Sequence, residues 1–486
     1  MSVRAEDSLP EAGRVPAGRV ARTARVSGLM TGQGLRWAGM RAANRLRRPE
    51  GAAAAENERT AALVERLVEQ LGQLRGAAMK AGQMISMIEF DGLAEEQKDE
   101  LRSKLATLRD SVPPVPFKRL ERLIRKELGV PLERVFSEFE ERAFAAASIG
   151  QVHRARTVGG EEVAVKVQYP GVAEAVESDL RNATLLLPLV KRLAPGLDAT
   201  VLAAELRERI AEELDYELEA QNQRRIGRLV RGHPFMRVPR VYTNLSTRRV
   251  LVSEYVAGER FEAVRRAEQA RRDPYGEIVF RMFFGLLYRD GIALGDPHPG
   301  NYLLLADDQV CFLDFGLVRD LDTARLAEER AIALAVRDHN AAALKAALVT
   351  GGYLPAGRAD AVEADFALRL IRRATKWYAV PGERRLSSHR RRREDRDRLD
   401  SEQRATASRQ VHQFTVPPDA LLIRRMHGML AIVLAQLGAE ANWGAIAGEY
   451  LHNEPPATPL GHAEAEFLAR RRGRTGAMAR WISNKA

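Results

Sequence analysis

Three hydrophobic patterns succeed one another along the 486-residue chain. From residue 56 to about 110, apolar side chains recur at helical spacing, as at Leu63, Leu67, Leu71 and Leu74. Pro113, Pro114 and Pro116 break that pattern. Residues 117–140 resume it with Leu120, Leu123, Ile124 and Leu128, and Gly129-Val-Pro131 marks its end. The period then changes to two. The segments around Arg156-Thr-Val158 and Glu161–Val167 read as strands joined at Gly159-Gly160. A long helix is predicted over residues 201–230, and a strand over Arg249–Gly258. A second hairpin turns at Asp307-Asp308, between the apolar runs ending at Leu305 and beginning at Val310. From Thr323 the pattern is helical. It is interrupted by a charged segment, Glu383–Arg404, read as a surface insertion.

Composition adds limits. Apolar residues make up 45% and charged residues 29%, the proportions of a folded chain rather than a disordered one. The single cysteine, Cys311, excludes an intramolecular disulfide and reads as a buried, inert thiol. The net charge of +11 is uneven: residues 1–48 hold ten Arg against Glu6, Asp7 and Glu11. Such a tail suits an anionic lipid surface or nucleic acid, and equally a solvated, partnerless segment. Trp37 is its one aromatic residue, which weighs against single-stranded nucleic acid, and no nucleic-acid partner is expected. No signal-like apolar core is seen and no run reads as a membrane span. The best candidate, Met429–Leu437, follows Arg424 and Arg425 and reads as a buried helix. A cytoplasmic protein, peripheral at a membrane, is the expectation.

The residues with chemistry cluster after residue 290. Asp296 and Asn301 stand five positions apart on one loop, and Asp314 follows the hairpin just before Phe315-Gly316. Phosphoryl transfer needs a carboxylate to orient the attacking hydroxyl or water, and oxygen ligands for magnesium on the phosphates. Lys166 alternates with Val163, Val165 and Val167, so it lies on the other face of a valine-rich strand and needs an anionic partner. Ala145, Ala146, Ala147, Ser148, Ile149 and Gly150 occupy the place of a phosphate-binding loop, although alanine is stiffer than glycine there. On the predicted 201–230 helix, Asp215, Glu219 and Asn222 share a face, and Glu213 points elsewhere. The strand ending at Gly258 offers backbone groups of Glu254 and Val256 to an adenine. Lys80 and Gln83 sit in a stripe of small residues, Gly76–Met84, where Lys80 by itself reads as solvated.

Together these motifs resemble the AarF/UbiB/ADCK family of atypical kinases, from about residue 75 to about residue 320. Lys80-Ala-Gly-Gln83 is similar to its KxGQ motif, Ala145–Val152 to its alanine-rich loop, and Val163-Ala-Val-Lys166 to its lysine strand. Glu213-Leu-Asp215 resembles its ExD motif, and Asp296–Asn301 and Asp314-Phe-Gly316 complete the set. Leu294 departs from the histidine usual two residues before the catalytic aspartate. The resemblance implies an α+β fold of the protein-kinase-like bilobal type. Residues 1–55 would be a basic tail, 56–116 a helical extension, 117–256 the N-lobe and 257–486 a mostly helical C-lobe with a charged insertion near 383–404. It implies ATP or ADP with magnesium as cofactors and a link to isoprenoid quinone lipids. Lys166 would contact the phosphates with Glu219 as its partner, and Asp296 would be the catalytic base or water-orienting group. Asn301 and Asp314 would hold magnesium, and Lys80 and Gln83 would pack over the nucleotide near Glu213 and Asp215.

Three readings follow: a magnesium-dependent kinase-like enzyme or ATPase, a nucleotide-regulated lipid-binding chaperone with little turnover, and a small-molecule phosphotransferase of the aminoglycoside-kinase type. The last has no need of Lys80-Ala-Gly-Gln83.

Overall fold

The computed structural model describes residues 115–147, 149–174, 212, 214–386 and 409–483, with side chains described to residue 472. The basic tail, the helices expected over 56–110 and most of the charged insertion lie outside the described residues, as do Lys80, Gln83, Ser148 and Glu213. The chain divides into two compact units at Leu214/Asp215.

The first unit opens with helix α1, Phe117–Leu128, which buries Leu120 and Ile124 and ends where Gly129 takes φ 71°. That left-handed conformation is cheap for glycine, and its N–H caps the carbonyl of Arg125. The helix stops there, as Gly129-Val-Pro131 predicts. The later part of the 117–140 segment, read as helical, is instead strand β1, Phe136–Phe139. Strands β2, Ala145–Ala147, β3, Gly150–Thr157, and β4, Glu162–Gln168, follow. β3 is central, antiparallel to β1, β2 and β4. In β4 the fully buried Val163, Val165 and Val167 alternate with half-buried Ala164 and Lys166. The two faces are those that the sequence period gives.

The second unit begins at a helix terminus. Helix α2 runs Tyr216–Leu229, with Asp215 extended before it and its carboxylate accepting from the Glu217 and Leu218 amides. The single helix predicted over 201–230 is therefore interrupted at Leu214–Asp215. Aspartate satisfies the orphan amides of a first turn, worth about 1 kcal/mol, and so favours a start over a continuation. Strands β5, Met236–Arg237, and β6, Val250–Glu254, follow, then β7, Glu259–Arg260, and helix α3, Phe261–Arg265.

Helix α4, Gln269–Tyr288, is buried all round from Tyr275 to Tyr288, the pattern of a core helix. Four short strands come next: β8, Ile292–Leu294, β9, Tyr302–Leu304, β10, Val310–Phe312, and β11, Val318–Asp320. β9 and β10 form a hairpin in the sheet β5-β10-β9-β7, and β8 pairs with β11. Helices α5, Thr323–Arg337, α6, Ala341–Thr350, and α7, Ala364–Ala379, pack in sequence. Strand β12, Arg384–Arg385, reaches forward to pair with β13, Glu440–Ala441. Helix α8, Leu421–Leu437, precedes β13, and α9, Trp443–Leu451, and α10, Pro459–Ser483, close the described chain.

One expectation about length is corrected. Pro418–Leu437 is 20 residues of mean hydropathy 1.4, long and apolar enough to cross a membrane, and 56% of it is buried. The apolar segment is longer than Met429–Leu437 because Leu421–Met426 joins it. Its contacts are those of a core helix: Leu422, Ile423, Met426, Leu430 and Leu434 belong to the same buried cluster as α4.

Candidate active site

Two hairpins assemble the site in the second unit. β8 and β11 are antiparallel, with Leu294 opposite Val318 and Ile292 opposite Asp320. β9 and β10 are antiparallel inside that pair, with Tyr302 opposite Phe312. The segments 295–301 and 313–317, which link the two ladders, are therefore forced side by side. The Gly295 amide donates to the Leu317 carbonyl at 2.9 Å, and the Leu313 amide to the Asn301 carbonyl at 3.0 Å. This double tie brings Asp296, Asn301 and Asp314 onto two adjacent loops. Gly295 is packed closely enough that a Cβ there would stand 2.6 Å from Leu317 Cδ2 and closer still to Leu422. Leu294, where a histidine is usual, is a buried strand residue.

The loop holds itself by local bonds. The carbonyl of Asp296 accepts from the His298 amide at 2.8 Å and from Asn301 Nδ2 at 3.3 Å. Because Asn301 donates through its nitrogen, its amide oxygen remains the acceptor. Asp314 Oδ1 accepts from the Gly316 amide at 3.0 Å, fixing the turn after the aspartate. Helix α2 braces that turn: Asn222 Nδ2 donates to the Phe315 carbonyl at 3.1 Å, and a Cβ on Gly316 would stand 3.9 Å from Glu219 Oε2. Glu219 is buried. Asp215 is placed apart from this brace, as the helix cap, with Arg248 Nε 3.9 Å from its other oxygen.

Two neighbours were not read as site residues. Arg425 on α8 is 7% exposed, and its Nη2 lies 3.6 Å from Asp296 Oδ1. The signal was present, since two adjacent arginines within an apolar helix need a reason to be there. Tyr302 follows Asn301 directly and is 2% exposed. Burial, and then the charges of Asp296, Tyr275 and Asp314, raise its pKa well above the usual value, so the phenol stays neutral beneath two carboxylates. Cys311, in contrast, is inert as read: burial pushes its thiol up to about 12.

The donors fit a magnesium ion. They are oxygens only, one amide and one carboxylate, and magnesium in nucleotide sites takes one or two protein ligands and completes its shell with phosphate and water. Among the described residues no three His, Cys, Asp or Glu side chains gather into an all-protein metal cage, which such a site does not need.

Of the pair expected to face an adenine, Glu254 and Val256, the Glu254 amide is already spent on the Arg240 carbonyl at 2.8 Å. Its side chain is tied to Arg237 and to the Arg240 amide. In the first unit Lys166 stands opposite Val152 on β3, and Ala145–Ala147 forms a tight hairpin with Gly150–Val152 rather than an open loop.

The fold and these loops define the class as a protein-kinase-like α+β domain. A family description, ABC1 atypical kinase-like domain, matches residues 107–348. The atypical kinase COQ8B, mitochondrial, of Danio rerio is 33% identical over 311 residues, 63% of this chain and 49% of that protein. Its Rattus norvegicus counterpart is 35% identical over 314 residues, 64% and 58% respectively. The solved complex of Rv3197 with erythromycin from Mycobacterium tuberculosis aligns with TM-score 0.58 at 30% identity, covering 81% of this chain and 97% of that one. The chain belongs to the ABC1 family of atypical kinase-like proteins, the AarF/UbiB/ADCK group that its motifs resemble. It spans about half the length of the first curated relatives it matches.

Proposed function

We propose that the chain binds adenine nucleotide and magnesium and transfers the terminal phosphoryl group to a small molecule or to water, in isoprenoid quinone or lipid metabolism. The observation that carries this reading is the double backbone tie that sets Asp296 beside Asn301 and Asp314. Asp296 orients the attacking oxygen, and Asn301 and Asp314 hold the magnesium on the phosphates. Lys166 and the Ala145–Gly150 hairpin serve those phosphates. The Glu254 carbonyl and Val256 amide receive the adenine. Glu219, Lys80, Gln83 and Glu213 keep the roles that the family resemblance implies. Only a few residues separate Gly316 from helix α5, leaving no long loop on which a protein substrate would dock. The names of the COQ8 relatives support the quinone connection, and an anionic membrane surface suits the basic residues 1–48.

The test is nucleotide binding and turnover by the full chain, with and without anionic vesicles and polyprenyl head-group mimics. Magnesium-dependent stabilisation by ADP should vanish in Asp314→Asn. Asparagine still accepts the Gly316 amide, so the fold is kept while the charge is lost. Asp296→Asn should bind nucleotide and lose roughly 100-fold or more in turnover. No magnesium-dependent nucleotide binding at all would sink the reading. The Arg425 contact favours a second one, a nucleotide-regulated lipid-binding protein with little turnover, because the guanidinium stands against an Asp296 oxygen that would otherwise face the attacking hydroxyl. Brisk hydrolysis that depends on Asp296 excludes that alternative.

A further inference from the structure

A pocket lies in the helical part of the second unit. It has a volume of about 520 Å³, in the range of small-molecule sites. Helix α7 supplies Arg369, Arg372, Arg373 and Lys376, and the turn between α5 and α6 supplies His339. The one carboxylate in its lining is Asp365. Residues 369, 372, 373 and 376 stand at i, i+3, i+4 and i+7, so a single stripe of α7 carries all four cations. The opposite face of the helix buries Ala367, Thr375 and Tyr378, which fixes the stripe toward the pocket, and Leu368 lines the pocket beside it.

A basic stripe on a helix is ordinarily a solvated face. Three observations set this one apart. It lines a concavity instead of a convex surface. Among the described residues, Arg369, Arg372 and Lys376 form no ion pair, although Asp365 lies one turn from Arg369, Arg373 has a partner of its own, and Arg372 Nε is buried without a hydrogen-bond partner. The charge is also held under mutual repulsion. Arg384 donates to the Lys376 carbonyl, and its pKa is lowered by burial and by the positive charge of Arg372. Arg369, Arg372 and Lys376, converging on one cavity with one carboxylate in its lining, are stabilised by a multivalent anion more than by separate water molecules.

We propose that this pocket is a binding site for a ligand carrying two or more phosphate groups, either free in solution or presented as a lipid head group. Arginine forks at positions 369 and 372 match phosphate oxygens in pairs, Arg373 adds positive charge beside them, and Lys376 adds a point charge at the rim. The site is separate from Asp296, Asn301 and Asp314, shares no residue with them, and does not rest on the function proposed above.

The test uses the full chain with Arg369→Glu/Lys376→Glu, both exposed positions, and the milder Arg369→Gln/Lys376→Gln. Tripolyphosphate binding is measured by calorimetry in EDTA, which removes magnesium from the nucleotide site. Flotation on phosphatidylcholine vesicles with and without phosphatidylinositol bisphosphate measures the head-group source. The thermal unfolding midpoint serves as the folding control and should be unchanged. Saturable tripolyphosphate binding, weakened by roughly tenfold or more in the charge-reversed variant and less in the neutral one, supports a free ligand. Binding only to vesicles that hold phosphatidylinositol bisphosphate, weakened in the same order, supports a head group. Equal binding by wild type and both variants on both probes, or no binding to either, overturns the proposal.

Discussion

Glu464 on α10 offers a direct check of how the second unit is held. Its carboxylate is 3% exposed and meets Arg289 Nη1 at 2.7 Å, Arg281 Nη1 at 3.1 Å and the Tyr450 hydroxyl. Arg281 is itself fully buried on α4 and also pairs with Glu277 and Glu449. Arg289 and Asp290 link α4 to β8, so the cluster anchors the strand that leads into the Asp296 loop. Burial alone would raise the Glu464 pKa. The His233 ring, the charges of Arg289 and Arg281, and the Tyr450 hydroxyl outweigh it and hold the pKa at about 2, from an ordinary 4.5. His233 Nε2 is 3.9 Å away, beyond hydrogen-bond reach, so the two guanidiniums do most of the holding. The folded-state value lies below the unfolded one, so the stabilisation is present above pH 4.5 and is lost as pH falls toward 2. At neutral pH it amounts to about 3 kcal/mol. Glu464→Gln keeps the shape and removes the charge. Urea unfolding, followed by fluorescence of the buried Trp443, should show a loss of that size at pH 7 that shrinks steadily between pH 4.5 and pH 3. A loss under about 1 kcal/mol at pH 7, or a difference constant across that range, refutes the reasoning.

Two further predictions concern the loop itself. Gly295→Ala places a methyl group against Leu317 and Leu422, whose side-chain ends must shift. It should destabilise the second unit by about 1–3 kcal/mol in thermal unfolding and lower turnover more than it lowers nucleotide affinity. Arg425→Met removes the guanidinium from Asp296 and leaves the buried Oδ1 without its ion-pair partner. Expected are a stability loss of about 1–3 kcal/mol and a roughly tenfold fall in kcat with magnesium-ADP affinity retained, read by calorimetry beside steady-state assays.

The sequence by itself determined the local elements and the chemistry they carry. The valine alternation placed Lys166 on its strand face, Gly129 ended its helix, and the two apolar runs about Asp307-Asp308 paired as a hairpin. Each rests on interactions between near neighbours, which a period of two or of 3.6 displays directly. Asp215 shows where the period misleads. Its spacing to Glu219 suited a helix face, yet a short acidic side chain beside free amides is equally a helix start, and that role won. What only the tertiary structure decided was the company these residues keep. Arg425 reaches Asp296 from a distant helix, Asn222 braces the Phe315 carbonyl across 93 positions, and Glu464 closes on Arg281 across 183. Contacts at such separations leave no period in the chain. They are selected when burial makes an unpaired charge expensive, and a residue's burial is known only once the chain has folded.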